Sequence, residues 1–140
     1  MTRLICDASV LFKLLVAEED TDIAKSLASH YQLCVPEIVF AEIANALWAR
    51  VRDRRLEASN AGSLIENFLI MPLDVKPLRR LISRALSIAR DLDHPIYDCL
   101  YLALAEDIAA PLVTADRRFA GAVQRSSFRG AEVRMLAEIV

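Results

Sequence analysis

Leu4-Ile5-Cys6-Asp7-Ala8-Ser9 is the stretch of sequence that decides the fold. Its apolar run is too short for a helix and predicts a buried strand over residues 4–7, which Asp7 ends. Ser9 supplies a cap for a helix that follows directly. The same combination of a short apolar run and a closing acid recurs at Leu112-Val113-Thr114-Ala115-Asp116. We therefore expect two strands that each deliver an acid to the edge of a sheet.

Strands and helices alternate along the rest of the chain. Strands are also predicted at residues 32–35, 73–75, 112–114 and 132–135, and helices at 10–16, 21–29, 38–54, 56–71, 78–92, 96–107 and 117–123. Alternating strands and helices are typical of an α/β fold with a parallel sheet. The sequence predicts a sandwich with a central, mostly parallel sheet of four to five short strands flanked by helices. No linker or internal repeat interrupts the pattern, which indicates a single domain over residues 1–140.

The composition limits the class of protein. Hydrophobic residues make up 55% of the 140 residues, which is above the usual share and indicates a thick core, an oligomer interface or a partner groove. No apolar stretch approaches the roughly 20 residues of a membrane span. The first residues lack the layout of a signal peptide, so we expect a cytoplasmic protein without a membrane partner. The net charge of −2 means that nucleic acid would have to bind to local basic patches.

The three cysteines, Cys6, Cys34 and Cys99, each lie inside an apolar run, and they form no close pair in the sequence. An odd and scattered set of cysteines argues against a disulfide framework and against a zinc site. We therefore predict buried, reduced thiols.

Four acids next to apolar segments are the candidate site. They are Asp7, Glu42, Asp98 and Asp116, and the predicted topology allows all four to converge at the carboxyl edge of the sheet. Two carboxylates about 4 Å apart repel by roughly 4 kcal/mol at an effective dielectric of 20. Such a group therefore needs distant basic partners, bound protons or a divalent cation. Oxygen ligands favour Mg²⁺ or Mn²⁺ over zinc, and that chemistry suits the hydrolysis of phosphodiesters.

Each acid also has a structural explanation. Asp7 can cap the first helix, Asp98 can interact with the positive end of its own helix, and Asp116 can be a solvated loop charge beside Arg117 and Arg118. Glu42 lies in a largely apolar segment and is the hardest of the four to explain structurally.

The motifs around these acids resemble a known family. They are, in chain order, Asp7-Ala8-Ser9, Glu42-Ile43-Ala44-Asn45, Tyr97-Asp98-Cys99-Leu100-Tyr101-Leu102-Ala103-Leu104-Ala105 and Leu112-Val113-Thr114-Ala115-Asp116. The ordered set is similar to the PIN-domain ribonucleases, most closely the VapC-type toxins of toxin–antitoxin pairs. The resemblance spans essentially the whole chain and implies a PIN-like three-layer sandwich. His94-Pro95-Ile96 departs from the family, which more often has small or polar residues before the third motif.

The resemblance implies a function and a set of site residues. The implied activity is Mg²⁺-dependent hydrolysis of RNA, with Mn²⁺ as a substitute, and the implied partners are a VapB-like antitoxin and a second copy of the chain. Asp7, Glu42, Asp98 and Asp116 would form the catalytic metal site. Supporting roles fall to Ser9 and Thr114 as orienting hydroxyls, and to Asn45 as a hydrogen-bond partner of Glu42.

The sequence also predicts where several basic and aromatic residues lie and what they contact. Arg117 and Arg118 flank the proposed site and are predicted to contact RNA phosphates. A cluster of four arginines is explained by the negative end of a helix dipole, which favours cations. Its members are Arg50, Arg52, Arg54 and Arg55, and contact with RNA or with an antitoxin is the alternative explanation. We expect Phe40, Leu47, Trp48 and Phe68 in the core or lining a groove, and His30 and His94 as surface or rim residues.

Other functions compete with this interpretation. A haloacid-dehalogenase phosphatase needs a second Asp where Ser9 stands, and a receiver domain needs a late lysine, whereas no lysine follows Lys76. A catalytically silent binding module and a DNA nuclease with the same acidic site stay open. The sequence does not identify the target RNA, the number of metal ions or the antitoxin.

Overall fold

A computed structural model describes residues 1–139 and shows a five-stranded sheet in the order β3-β2-β1-β4-β5. Every neighbouring pair of strands is parallel. The strands are β1 (Arg3–Cys6), β2 (Gln32–Pro36), β3 (Asp74–Lys76), β4 (Leu112–Thr114) and β5 (Val133–Met135). This confirms the predicted parallel α/β class, and each predicted strand lies within a residue or two of its observed position.

Seven α-helices flank the sheet within the part of the chain that the structure describes. They are α1 (Ala8–Leu11), α2 (Thr21–His30), α3 (Val39–Arg52), α4 (Ala58–Leu69), α5 (Ile82–Leu92), α6 (Ile96–Ile108) and α7 (Arg117–Arg125). Short 3₁₀ turns at Phe12–Leu14, Leu78–Arg80 and Leu136–Glu138 extend or connect them. The predicted helix at 10–16 is therefore a short α-helix that starts earlier and continues as a 3₁₀ turn.

The strand order fixes where a ligand site can form. From β1 the chain crosses to β2 on one side, while β4 pairs with β1 on the other, in the register Ile5 with Leu112 and Cys6 with Val113. In open α/β sheets the crevice at such a reversal, beyond the carboxyl ends of the strands, is the usual binding position. Asp7 follows β1 directly and Asp116 follows β4 by two residues, so both border that crevice.

Helix α6 lies in the interior. Seven consecutive residues, Cys99 to Ala105, are all at most 2% exposed. Burial on every side of a helix means that its neighbours enclose it, and its first turn is thereby fixed relative to the sheet. Asp98 lies in that first turn, so the packing of α6 positions the carboxylate.

Buried and exposed side chains agree with most of the sequence predictions. All three cysteines are free and buried, as predicted. Leu47 and Phe68 are core residues, whereas Trp48 is 55% exposed, so the expectation of a core or groove position does not hold for Trp48. Instead the Arg52 guanidinium stacks 4.8 Å from the Trp48 ring centroid. No helix within residues 1–139 is long and apolar enough to cross a bilayer.

Candidate active site

Asp7 is the buried centre of the site. Its side chain is 3% exposed, and Oδ1 accepts hydrogen bonds from Ser9 Oγ at 2.5 Å and from the Val10 amide at 3.3 Å. The second of these bonds makes Asp7 the N-cap of α1. The capping role considered from the sequence is therefore present, but a four-residue helix gives no reason to bury an acid so completely.

Two hydroxyls connect Asp7 to the end of β4. Ser9 Oγ accepts a hydrogen bond from the Ala115 amide at 2.9 Å and lies 3.5 Å from Thr114 Oγ1. Thr114, which is fully buried, accepts in turn from the Asp116 amide at 3.1 Å. Ser9 and Thr114 thus hold the ends of the two central strands together beside the Asp7 carboxylate.

Glu42 projects from the first turn of α3, and Tyr101 holds it. Tyr101 is fully buried in α6, and its hydroxyl donates a hydrogen bond to Glu42 Oε1 at 2.7 Å. The resemblance suggested Asn45 for this role. Asn45 is exposed, and among residues 1–139 it makes no side-chain hydrogen bond to Glu42. Tyr101 reaches Glu42 from the buried helix α6, whereas Asn45 lies on α3 itself and lines a cleft that also contains Glu42.

Asp98 has a histidine partner. His94 Nε2 lies 2.6 Å from Asp98 Oδ2, and both side chains are partly buried. The two residues are four positions apart, with Pro95 and the start of α6 between them. The sequence analysis treated His94 as a rim residue, so its direct contact with a candidate catalytic acid is a finding of the structure.

The pKa values show that three of the acids interact electrostatically. Burial raises the pKa of Asp7 from 3.8 to about 6; the Ser9 and Thr114 hydroxyls lower it and the Asp98 charge raises it. Burial also raises the pKa of Glu42 to about 7, with Tyr101 opposing and Asp98 and Asp7 adding to the rise. Asp7, Glu42 and Asp98 therefore form one negatively charged group whose members destabilise one another.

Asp116 occupies a different position. It is exposed, and its Oδ1 accepts hydrogen bonds from the Arg118 and Phe119 amides as the N-cap of α7. It does share a cleft of about 820 Å³ with Asp98 and His94, and Arg118 lines the same cleft. The structure therefore brings Asp116 to the edge of the site, while Asp7, Glu42 and Asp98 form its interior.

A second cleft lies on the other side of the acids. Its volume is about 720 Å³, and its lining combines Glu42, Ser9 and Asn45 with apolar and aromatic side chains such as Phe12 and Tyr97. Glu42 and Asp98 thus face two separate openings.

Within residues 1–139, no Lys or Arg side chain forms an ion pair with any of the four acids. Distant basic partners were the sequence-level alternative to a cation, and the described part of the chain does not provide them. The repulsion inside the group is relieved only by hydroxyls, amides and His94. A divalent cation and a bound proton are the remaining means of stabilising it, and a proton on Glu42, whose pKa is about 7, does so only in part at neutral pH.

The donor set fits a hard cation. All donors are carboxylate oxygens, and Mg²⁺ is often bound through one or two carboxylates, several waters and a substrate phosphate. No group of three or more His, Cys, Asp or Glu side chains within residues 1–139 is arranged to hold a metal ion directly. This differs from the expected four-acid ligand set. The geometry suits an ion with few protein ligands.

Sequence reasoning missed Tyr101 and His94. Tyr101 is the one hydroxyl-bearing residue in the apolar run from Cys99 to Ala105, and a buried Tyr hydroxyl usually needs a partner. The spacing of His94 and Asp98, four residues apart, was the available signal for the second contact.

A parallel α/β sheet whose central crevice holds coupled carboxylates without a Lys or Arg partner within residues 1–139 defines a class of proteins with an acidic site. A family model of the PIN domain matches residues 4–123, and the chain belongs to the PIN domain family. Ribonuclease VapC3 from Pyrobaculum aerophilum is 31% identical over 121 residues, which cover 84% of this chain and 92% of that protein.

Solved structures share the fold. The protein PAE2754 from Pyrobaculum aerophilum superimposes with a TM-score of 0.68 and 24% identity, over 94% of this chain and 83% of that one. A toxin–antitoxin complex from Klebsiella pneumoniae matches with a TM-score of 0.64 and 15% identity, over 97% of this chain and 99% of that one. These likenesses confirm the PIN-type fold that the motifs implied.

Proposed function

We propose that residues 1–140 act as a single nuclease domain that hydrolyses RNA phosphodiesters with a divalent metal and serves as the toxin of a toxin–antitoxin pair. The observation that carries the proposal is the coupled group of Asp7, Glu42 and Asp98, which has no Lys or Arg partner within residues 1–139. A protein gains nothing structurally from burying two carboxyls beside a third, because burial first and the neighbouring charges second raise the pKa of both. Membership of the PIN family and the similarity to a ribonuclease support RNA as the substrate.

Each residue of the site has a defined task in this proposal. Asp7, Glu42 and Asp98 would hold Mg²⁺, or Mn²⁺ in its place, some of them directly and the others through water, and Asp116 would take part from the exposed edge. A bound divalent ion supplies a lowered pKa for water and charge stabilisation for the phosphate in the transition state. Ser9 and Thr114 keep the Asp7 carboxylate oriented, and Tyr101 keeps Glu42 oriented. Their fixed hydrogen bonds remove the cost of reorganising the acids during the reaction.

The two clefts give the substrate a path. Arg118 lines the cleft that contains Asp98 and Asp116, where a guanidinium can bind a phosphate next to the bond that is cut. The other cleft is more apolar and offers the exposed ring of Tyr97, on which an unpaired base can stack. Single-stranded or looped RNA fits this arrangement, and we propose that the chain acts in the cytoplasm.

Partners follow from the same resemblance. The fold similarity to a toxin–antitoxin complex supports a VapB-like antitoxin as the inhibitor of this chain. Ile70, Ile82 and Leu86 are large apolar side chains between 43% and 83% exposed, and they support contact with a second copy of the chain. Light scattering on the purified protein tests the homodimer, and co-purification with the product of a short neighbouring gene tests the antitoxin.

A DNA nuclease with the same acidic site is the second candidate, since phosphodiester hydrolysis by carboxylates and metal does not itself distinguish the two sugars. A silent binding module is disfavoured, because binding alone gives no reason to keep the destabilising acids together.

The deciding experiment is cleavage of RNA by the purified chain. Total RNA and a matched single-stranded DNA are incubated with Mg²⁺, with Mn²⁺ and with excess chelator, and cut ends are mapped. We expect discrete RNA cuts with 5′-phosphate ends that need the metal, and no cuts with Asp98→Asn. Preferential cleavage of the DNA would favour the second candidate. Equal cutting in chelator would refute the metal-dependent mechanism.

A further inference from the structure

His94 is held in place independently of its contact with Asp98. Asp93 adopts a left-handed conformation with a φ of 51°, which ends α5, and the His94 amide donates to the Ala89 carbonyl at 3.1 Å. The imidazole packs against the fully buried ring of Phe119, with centroids 5.5 Å apart. The end of α5 therefore holds the His94 backbone and α7 holds its ring, so the position of the imidazole does not depend on its contact with Asp98 alone.

The imidazole Nε2 points at one particular oxygen of Asp98. The distance of 2.6 Å from Nε2 to Oδ2 is that of a strong hydrogen bond. A carboxylate only accepts hydrogen bonds, so Nε2 carries the proton and donates. This contact restrains the orientation of the Asp98 carboxylate. Among residues 1–139, no other side chain hydrogen-bonds to Asp98.

We propose, on the basis of the nuclease function inferred above, that His94 is a positioning residue that fixes the Asp98 carboxylate for metal binding through Nε2. It acts through Asp98 and does not touch the reacting atoms. The arrangement matches the general pattern in which the partners of ligating carboxylates are as important as the ligands, and their loss costs about 10- to 100-fold in metal affinity or activity.

The test compares two substitutions that separate the proton donor from the ring. His94→Phe keeps an aromatic ring against Phe119 but has no donor, whereas His94→Gln keeps an N–H at a similar reach from the backbone. His30→Phe is the matched control, because His30 is the other histidine of the chain and is exposed on α2. Binding of Mn²⁺ in the absence of RNA is measured by electron paramagnetic resonance, and kcat and KM for RNA are measured separately.

We expect His94→Phe to weaken Mn²⁺ binding and lower kcat, each about 10- to 100-fold, with KM for RNA nearly unchanged. His94→Gln should recover most of both losses, and His30→Phe should behave like the unmodified protein. Equal Mn²⁺ affinity in the unmodified protein and His94→Phe would overturn the proposal. So would a His94→Gln variant that is as impaired as His94→Phe, because the ring alone would then matter.

A double-mutant cycle with Asp98→Asn shows whether His94 acts through Asp98. We expect His94→Phe to cause no further loss of Mn²⁺ affinity once Asp98 is Asn, and an additional full loss would overturn the proposed route. The failure of this proposal is distinguishable from that of the nuclease function. An unmodified chain that binds Mn²⁺ but cuts no RNA refutes the nuclease alone, while the Mn²⁺ affinities of the variants still decide the role of His94.

Discussion

Tyr101 donates a hydrogen bond to Glu42 across 59 residues of sequence, at 2.7 Å, and thereby connects the interior helix α6 to the first turn of α3. The bond opposes the rise in the pKa of Glu42 that burial, Asp98 and Asp7 cause. The pKa of the Tyr101 hydroxyl is itself raised, first by burial and then by Glu42, so Tyr101 stays a donor at all working pH values. The neutral Tyr101 hydroxyl therefore favours the ionised form of the partly buried Glu42 carboxyl.

Tyr101→Phe tests this role. Loss of a hydrogen bond to a charged group is worth roughly 1.5–3 kcal/mol, which corresponds to a rise of about one pH unit or more in the pKa of Glu42. We expect the acidic limb of the pH–rate profile for RNA cleavage to move to higher pH by about that amount. Rates well above the pKa should approach those of the unmodified protein. Superimposable profiles would contradict the assigned role of Tyr101.

Asp7→Asn tests the cost of the buried charge. Because the folded pKa of Asp7 is about 6 and its ordinary value is 3.8, the folded protein binds this proton more tightly than the unfolded chain. Asp7 therefore contributes stability at low pH that is lost as the pH rises through about 4 to 6. A rise of about two pH units corresponds to about 3 kcal/mol.

The metal-free Asp7→Asn protein should consequently unfold at higher urea than the unmodified protein at about pH 8, and at nearly the same urea at about pH 4. Asn is as good an N-cap as Asp, so the start of α1 is preserved. Asp22→Asn, an exposed position on α2, is the control and should change little at either pH. If Asp7→Asn unfolded at lower urea than the unmodified protein at about pH 8, the Asp7 charge would not lower the free energy of unfolding.

Much of the fold could be predicted because local patterns determine it. Short apolar runs followed by acids or proline gave four of the five strands, and helical spacing gave each helix to within a few residues. The order of the strands was not accessible in this way, since it depends on which crossover packs on which side of β1. The exposure of Trp48 was also not predictable, because a stripe at helical spacing does not say which neighbour covers it.

The candidate site was predictable as a set of acids but not as a network. Asp7, Glu42 and Asp98 stand out because apolar neighbours make an acid costly. The contacts of Tyr101 with Glu42 and of His94 with Asp98 depend on side-chain directions that only the packed helices define. Asp116 lies at the exposed edge as the N-cap of α7, which agrees with the alternative explanation of a solvated charge that its arginine neighbours suggested.

Arg118 and Arg117 provide a matched pair for RNA binding. Both are exposed at the start of α7, but only Arg118 lines the cleft that contains Asp98 and Asp116. Arg118→Ala should raise KM for RNA several-fold and reduce the slope of log KM against log salt by about 0.7, the value for one lost phosphate contact on a single strand. Arg117→Ala should have a smaller effect on both. An equal loss in the two variants would mean that general positive charge, and not the cleft, attracts the RNA.

Neutralising the acids one at a time separates the interior of the site from its edge. Asp98→Asn and Glu42→Gln remove charges of the coupled group, and we expect each to lower kcat by at least about 100-fold while the protein stays folded. Asp116→Asn keeps the N-cap of α7, so its effect reports only the loss of charge at the exposed edge, and we expect a smaller decrease. Circular dichroism confirms folding, and single-turnover cleavage of RNA in Mg²⁺ gives the rates. If Asp116→Asn proved as inactive as Asp98→Asn, the edge carboxylate would belong to the metal site on equal terms, and the interior group alone would not account for catalysis.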